Sequence, residues 1–228
     1  MQVRAEGTRT ILLEAAAGLF DERGFVGTSI SDIAKRSGRT SGAIYFHYAS
    51  KEKLARAVID AQFNTWPRLV ARRRASARPA LERMVALSYD VARAFRDDVV
   101  VRAAARLWTE RKCIALSLPV PFVGWIEEVS ALLSEAREEG DLGPGVVPDT
   151  AAAGLVGAFY GLHTISEALD GRRRIEERLD ELWLLLLAGL QSVPDPAGLL
   201  GRVYGHLGPD GSAAAPRTGP GRAAGTAR

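Results

Sequence analysis

The sequence predicts an all-α fold with a small helical head, a larger helical body and a tail without a core of its own. Apolar residues recur every three or four positions along most of the chain, the spacing of one face of an α-helix. No alternating β-branched run is present, and no Asn-Gly or Asp-Gly pair stands between such runs, so hairpins are not expected. Glycines and prolines stand where helices end and begin, at Gly24, Pro121, Gly140, Pro148 and Gly171.

Bulk composition narrows the class of protein. The 228 residues can bury a substantial core, and the single cysteine, Cys113, excludes an internal disulfide, which fits a reducing cytoplasm. No amino-terminal stretch combines a basic start, an apolar run and a small-residue cleavage site, so no secretory signal is expected. The longest apolar run, Leu182 to Leu190, is nine residues against the roughly 20 needed to cross a bilayer, so no membrane partner is expected. Residues 1–53 carry eight Lys and Arg against six Asp and Glu. This small excess does not indicate nucleic acid by itself, so local patterns must decide.

The first predicted domain, residues 1–50, holds three helices. Their predicted ranges are about 8–23, 28–36 and 40–49. Gly24 suits the left-handed cap that ends the first helix, and Thr28 is predicted to be the N-cap of the second. Gly38 turns the chain between the second and third helices.

The second predicted domain, residues 51–194, begins with a long connecting helix, about 51–75, capped by Ser50. Five more helices are predicted at about 79–96, 99–115, 121–139, 148–169 and 173–192. The last two helices carry more apolar residues than one core needs, which predicts a homodimer. The residues expected at that dimer surface are Leu155, Phe159, Leu182, Leu186 and Leu190.

A third segment, residues 195–228, is predicted to be a largely disordered tail. Of its 34 residues, 19 are Gly, Pro or Ala, which bury too little surface to offset the entropy of ordering. A turn of helix near 199–207 is the one exception expected there.

The second and third helices of the head form a candidate helix-turn-helix. Two short helices with a glycine turn, braced by a preceding helix, form the module that lays its second helix in the major groove of DNA. Arg39 is the best candidate to read guanine, because a guanidinium matches the two acceptors of that base. Small and hydroxylated residues allow close approach, and helix N-termini and polar side chains suit phosphates. The predicted contacts to double-stranded DNA are Thr28, Arg39, Thr40, Ser41, Gly42, Tyr45, His47 and Lys51.

Some of these residues have a second interpretation. Tyr45 is either a backbone clamp or a core aromatic, and Phe46 is expected to be core. Lys51 is either a backbone clamp or a solvated residue at a helix start.

The run from Ile11 to Lys53 resembles the tetracycline-repressor family of regulators. The segments that carry the resemblance are Ala16 to Phe20, Arg23 to Phe25, Thr28, Ile33-Ala34, Gly42 to Tyr48 and Ser50 to Leu54. The resemblance implies an all-helical chain that dimerises through its last two long helices. It also implies a repressor that holds a palindromic operator until a small effector releases it.

A narrower resemblance covers the body. Ala61 to Phe63, Ala94 to Asp98, Arg102 to Leu107 and Leu118 to Trp125 are similar to the γ-butyrolactone receptors. Those regulators respond to lactone, butenolide or furan signals and control antibiotic production. Receptors of that group usually have an apolar residue where this chain has Arg39 and a lysine where it has Ser41, so the resemblance implies the mode of DNA binding but not the operator sequence.

The effector site is predicted within the body. The resemblance implies that Trp125 lines the pocket, where an aromatic wall and one or two hydrogen bonds would fix a flat ring. Gln62 is an amide on an otherwise apolar face, so it needs a partner, and a ligand is one such partner. The remaining candidates are equally compatible with ordinary core, and His163 with a satisfied interior histidine. The predicted ligand contacts are Gln62, Phe63, Trp108, Phe122, Trp125, His163 and Thr164.

Two other functions compete with this one. An enzyme is not expected, because the chain has no Gly-x-Ser-x-Gly elbow, phosphate-cradling loop, paired-histidine metal spacing or Cys-x-x-Cys, so no catalytic residue, metal or cofactor is predicted. A regulator of efflux, or a receptor homologue that senses antibiotics, stays open because the sequence does not identify the ligand.

Overall fold

The computed structural model describes residues 2–207, with side chains from residue 6 onward. Its α-helices are α1 (Gln2–Arg23), α2 (Ile30–Ser37), α3 (Ser41–Tyr48), α4 (Lys51–Phe63), α5 (Trp66–Arg74), α6 (Ala80–Asp97), α7 (Val99–Thr109), α8 (Val123–Glu138), α9 (Pro148–Asp170), α10 (Ile175–Leu190) and α11 (Pro196–Tyr204). A 3₁₀-helix, Arg111–Cys113, follows α7. Within these residues no strand forms, and one isolated bridge joins Leu142 to Gln191. The all-α prediction is confirmed.

The turn between α1 and α2 needs a glycine and corrects one predicted cap. Gly24 has φ +72°, and a Cβ there would also collide with the carboxylate of Glu110, which accepts a hydrogen bond from the Phe25 N–H at 2.6 Å. Helix α2 is capped by Ser29, whose hydroxyl accepts from the Asp32 N–H while the Asp32 carboxylate accepts from the Ser29 N–H. The prediction that Thr28 is the N-cap is therefore wrong by one residue.

The predicted connecting helix, 51–75, is in fact two helices. Helix α4 ends at Phe63 and α5 begins at Trp66. The cause is Pro67, because a proline has no N–H to donate and its ring clashes with the carbonyl four residues earlier, which here belongs to Phe63. The chain can therefore change direction between α4, which follows the head, and α5, which enters the body.

Two clusters of buried apolar side chains hold the helices together. One joins the head to α4 and α7, and it contains Phe20, Val58 and Leu107 together. The other fills the body around α6, which is buried along most of its length. Because the first cluster continues from α1 into α7, the head is packed directly on the body. The domain boundary at residue 50 stays a prediction.

Helices α9 and α10 expose part of their apolar surface. Ile165, Leu169, Leu184 and Leu185 are exposed. Two residues predicted at the dimer surface lie elsewhere, since Leu190 is buried and Phe159 packs against an aromatic ring inside the body. The correction follows from helix geometry, because only one stripe of a helix faces outward and these two residues fall on the inner stripe.

The start of the predicted tail is an ordered helix. In place of a single turn near 199–207, α11 is nine residues long and buries Leu199, Leu200 and Val203 against α6 and α10. Residues 208–228 of the predicted tail lie outside the described residues. Among residues 2–207, no helix has both the length and the apolar character that a membrane span requires.

Candidate DNA-binding face and effector cavity

Helix α3 presents one exposed face that matches the predicted DNA contacts. Arg39, Thr40, Gly42 and Tyr45 are exposed, with Tyr45 at 53%. The Thr40 hydroxyl accepts a hydrogen bond from the Ala43 N–H at 3.2 Å and so caps α3. Ser41 and His47 are half-buried on the same helix. Contact between this face and DNA remains a prediction.

Three residues of the head lie in places that the sequence did not indicate. Phe46 was expected in the core but is 83% exposed, because Ile44 and Tyr48 take the buried positions of α3. Thr28 is only 1% exposed, and its hydroxyl donates to the carbonyls of Leu19 and Gly24. A buried hydroxyl engaged in this way cannot also contact a phosphate.

The third of these residues, Lys51, holds the turn between α1 and α2 in place. Its ammonium donates to the carbonyls of Phe25 and Thr28, both at 2.9 Å, and lies 4.1 Å from the centre of the Phe25 ring. Two of the three ammonium donors thus hold the turn between α1 and α2, and a contact of the third with the DNA backbone stays a prediction.

A groove beside α3 adds basic residues that the sequence did not single out. Arg9, Lys53 and Arg56 line it together with Phe46 and His47. The Tyr48 hydroxyl donates to the Arg9 carbonyl at 2.8 Å, which positions α1 along the groove. The signal available in the sequence was a set of cations spread over α1 and α4, which only folding brings together.

All seven predicted ligand residues line one cavity of about 400 Å³ in the body. Helix α4 contributes Gln62 and Phe63, α7 contributes Trp108, and α8 with the turn before it contributes Phe122 and Trp125. Helix α9 contributes His163 and Thr164. The volume is within the range of small-molecule sites in proteins, about 300–1,000 Å³. That these residues contact a ligand stays a prediction.

Aromatic rings form two connected walls of the cavity. In one wall the ring centres of Trp125 and Trp66 are 5.4 Å apart, and those of Trp66 and Phe95 are 6.0 Å apart. In the other, Phe122 stands edge-on to Tyr160 at 5.1 Å, which in turn stands edge-on to His163 at 5.0 Å. Such walls suit an apolar or planar ligand.

Two polar side chains of the cavity, Gln62 and His163, lack protein partners for their polar atoms. Gln62 is 7% exposed, and no described residue forms a hydrogen bond with its side-chain amide. His163 is 5% exposed, its ring stacks on Phe95 at 4.2 Å, and its Nδ1 has no hydrogen-bond partner among the described residues. Burial, with the nearby charge of Arg172, lowers the pKa of His163 to about 3. The imidazole is therefore neutral at physiological pH and can offer one donor and one acceptor.

The Thr164 hydroxyl differs from these two groups, because it already donates to the Tyr160 carbonyl at 2.8 Å. It retains acceptor capacity, and its exposed side chain lies at the rim of the cavity.

Charged side chains at one end of the cavity were not predicted from the sequence. Asp21, Arg102, Arg106, Glu167 and Arg172 line that end. Along the sequence they read as solvated helix faces, and α1 meets α7 only through contacts between residues about 80 positions apart. Among the described residues, no cluster of three His, Cys, Asp or Glu side chains could hold a metal ion.

Hydrogen bonds connect this end of the cavity to the head. Arg102 pairs with the Asp21 carboxylate at 2.9 Å, and Arg106 donates to the Asp21 carbonyl at 2.7 Å. On the other side, Arg56 of α4 donates to the carbonyl of Ser117, in the loop that leads to Phe122, at 3.0 Å. Two walls of the cavity are thus joined to helices that support α3.

A helix-turn-helix head packed on a helical body with an aromatic cavity defines a class: ligand-responsive DNA-binding regulators. Models of two families match the chain, "Bacterial regulatory proteins, tetR family" at residues 12–58 and "Tetracyclin repressor-like, C-terminal domain" at residues 78–194. The chain belongs to the tetR family of bacterial regulatory proteins.

Known relatives support this assignment along nearly the whole chain. The A-factor receptor protein of Streptomyces griseus is 32% identical over 210 residues, which are 92% of this chain and 70% of that protein. A solved structure concerned with the control of antibiotic production by bacterial hormones has 42% identity and a TM-score of 0.76, over 81% of this chain and 98% of that one. A γ-butyrolactone receptor structure described as ArpA-like has 32% identity and a TM-score of 0.75, over 88% and 98%.

Proposed function

We propose that this protein is a dimeric repressor released from a palindromic operator by a small lipophilic signal of the γ-butyrolactone, butenolide or furan type, and that it controls secondary metabolism. The observation that carries the proposal is the aromatic cavity with an unpartnered Gln62 amide and His163 imidazole. A ligand with a flat ring and one or two polar atoms would pack on the aromatic walls and give these buried groups their hydrogen bonds. The names of the A-factor receptor and of the γ-butyrolactone receptor relative support the same class of signal.

In this proposal DNA is bound by the exposed face of α3. Arg39 reads a base edge, Thr40, Ser41 and Gly42 permit close approach, and Tyr45 with His47 contacts the phosphate backbone. The basic groove that contains Arg9 and Lys53 extends the backbone contact.

The dimer is proposed to form through α9 and α10. Four exposed apolar residues, Ile165, Leu169, Leu184 and Leu185, lie on these two helices. Gly154, Gly157 and Gly161 follow one another along α9 at helical spacing, and a Cβ added at any of them would meet no atom within 4 Å. A partner helix can therefore approach closely there.

Release follows from the connections between cavity and head. A ligand that displaces Phe63 or Phe122 also moves α4, directly or through the contact between Arg56 and Ser117. The two heads of the dimer would then no longer match half-sites about 34 Å apart. A ligand acts in this way only to the extent that it binds the released shape more tightly.

The test begins with an operator selected from random DNA duplexes by the full-length protein. Gel-shift titration would then compare a synthetic γ-butyrolactone, a butenolide and an alkylfuran with tetracycline. Release by a member of the first three supports the proposal. Release by the antibiotic alone would replace it with antibiotic sensing or efflux control, and failure to select any palindromic duplex would overturn DNA-binding repression.

A further inference from the structure

The charged end of the cavity contains one arginine whose pairing is incomplete. Arg102 and Arg106 are both engaged with Asp21. Arg172, in the turn between α9 and α10, pairs through Nη1 with Glu167 at 2.6 Å, while its Nε has no hydrogen-bond partner among the described residues. Because an arginine carries five N–H donors, one carboxylate leaves much of this guanidinium unsatisfied.

The burial and the backbone conformation of Arg172 both cost free energy. It is 6% exposed, and burial lowers the pKa of its guanidinium. Its backbone lies in the left-handed region at φ +65°, directly after Gly171 at φ +64°. A non-glycine residue with this backbone and an incompletely paired buried charge is costly, and such costs concentrate at binding sites.

Two neighbouring polar atoms share the lack of partners. Nδ1 of His163 and Oγ of Ser166 lie on the last turns of α9, and both are buried without a hydrogen-bond partner among the described residues. The Arg172 N–H donates to the Ser166 carbonyl at 3.0 Å, which places the three residues in one corner. Of the three, His163 and Arg172 line the cavity, and this corner is therefore polar and only partly satisfied.

One end of the cavity is apolar and the other end is charged. Trp125 contacts Trp66, and Trp66 contacts Phe95. The Arg172 guanidinium lies 5.6 Å from the centre of the Phe95 ring. A ligand lying along this row would have its apolar part against the two tryptophans and its other end at Arg172.

Charge decides which chemical group suits that end. Arg102 pairs with Asp21 and Arg106 with Glu110. When Glu167, whose side chain is 51% exposed, turns to solvent, Arg172 is therefore left without a carboxylate. A ligand carboxylate would then balance the charges and bind the guanidinium with two parallel hydrogen bonds. A neutral lactone carbonyl can accept hydrogen bonds but brings no charge to a buried cation.

We propose that the effector of this protein carries a carboxylate, which Arg172 binds in place of Glu167 while the alkyl part of the effector lies along Trp66 and Trp125. This inference rests on the proposed function of the cavity as the effector site, and it narrows the chemistry of the effector.

The test uses two probes with the same carbon skeleton, γ-decalactone and its ring-opened form, 4-hydroxydecanoate, at pH 8. Binding to the full-length protein is followed by tryptophan fluorescence, since Trp66, Trp108 and Trp125 line the cavity. The wild type is expected to bind the acid about tenfold or more tightly than the lactone, the effect of one charge-assisted hydrogen-bonded pair. Arg172→Gln is expected to lose that preference, because its affinity for the acid falls at least about tenfold further than its affinity for the lactone.

Two further variants serve as controls for the result with Arg172→Gln. Arg173→Gln removes a neighbouring exposed arginine and is expected to retain the preference. Glu167→Gln removes the competing carboxylate from an exposed side chain, so it should fold even if Arg172→Gln does not, and it is expected to tighten binding of the acid alone. A wild type that prefers the lactone would overturn the inference and leave the proposed function standing, as would a preference that survives in Arg172→Gln. No binding of either probe would count against both.

Discussion

The head and the body satisfy their buried polar groups in different ways. In and beside the head, the buried Thr28 hydroxyl and two of the three Lys51 ammonium donors bond to backbone carbonyls, and Ser29 and Thr40 cap their helices. In the cavity, Gln62 and His163 have no such partners among the described residues. On the proposed function, the head would recognise DNA with side chains that are already exposed. The body would gain the missing hydrogen bonds only from a ligand.

The largest effect that would test this contrast is expected from Trp125→Ala. The change removes an aromatic wall of the cavity at a site remote from α3. Truncating a tryptophan that anchors a bound partner costs about 2–4 kcal/mol of binding, so the signal concentration needed for release should rise at least about 30-fold while operator affinity stays close to wild type. Gel-shift titration measures both quantities, after a melting curve has shown that the variant is folded. Release at the wild-type concentration would mean that Trp125 is ordinary core.

A change at Lys51 should lower the stability of the protein instead of its response to the signal. Lys51→Met removes two hydrogen bonds and a cation–π contact, so we expect a loss of about 2–3 kcal/mol in stability. Lys53→Met is the matched control, since Lys53 lines the basic groove instead of closing the head. It should weaken DNA binding without lowering the denaturation midpoint. Equal midpoints for the two variants would show that Lys51 does not hold the head together.

Affinities for operator and for random DNA separate the side chains near α3 that read bases from those that contact the phosphate backbone. If Arg39 reads a base, Arg39→Ala should cost about 1–3 kcal/mol on the operator and little on random duplex. Tyr45→Ala should weaken both, because a backbone contact carries no sequence information. Fluorescence anisotropy at one fixed salt concentration measures the four affinities. The assignment fails if both variants lose the same affinity on both DNAs.

The smallest effect concerns the neutral His163. Unfolded histidine binds a proton below pH about 6.5, whereas folded His163 does so only near pH 3, so acid favours the unfolded chain and stability is lost as pH falls below 6.5. This loss is about 1.4 kcal/mol at pH 5.5. His163→Phe should abolish that part of the acid sensitivity, which urea unfolding at pH 7.5 and pH 5.5 would reveal. A variant with the wild-type pH dependence would show that His163 is not a buried neutral base.

Local patterns predicted what depends on neighbours in sequence. Gly24 ends α1 and Ser50 caps α4 as expected, and the seven pocket candidates share one cavity because a family resemblance guided their choice. Features that depend on distant contacts were missed. Nothing near Arg172 in the sequence shows that it turns into the cavity, and the inward orientation of Lys51 needs carbonyls more than 20 residues earlier.

Within α3 the helical pattern was ambiguous. Three aromatic residues stand close together, and the sequence alone did not show that Tyr48, and not Phe46, would occupy the buried position. The break at Pro67 is the exception, because a local rule predicts it and the apolar periodicity of the segment concealed it.

That break sets the scale of motion that an effector must produce. With α4 ending at Phe63, the rigid rod between the cavity and the recognition helix is 13 residues, about 20 Å at the helical rise. A tilt of about 5° at its cavity end would displace the head by roughly 1.7 Å, or about 3.4 Å between the two heads of a dimer, which is close to the rise of one base pair. A shift in register of one base pair therefore needs only a small rearrangement around the ligand.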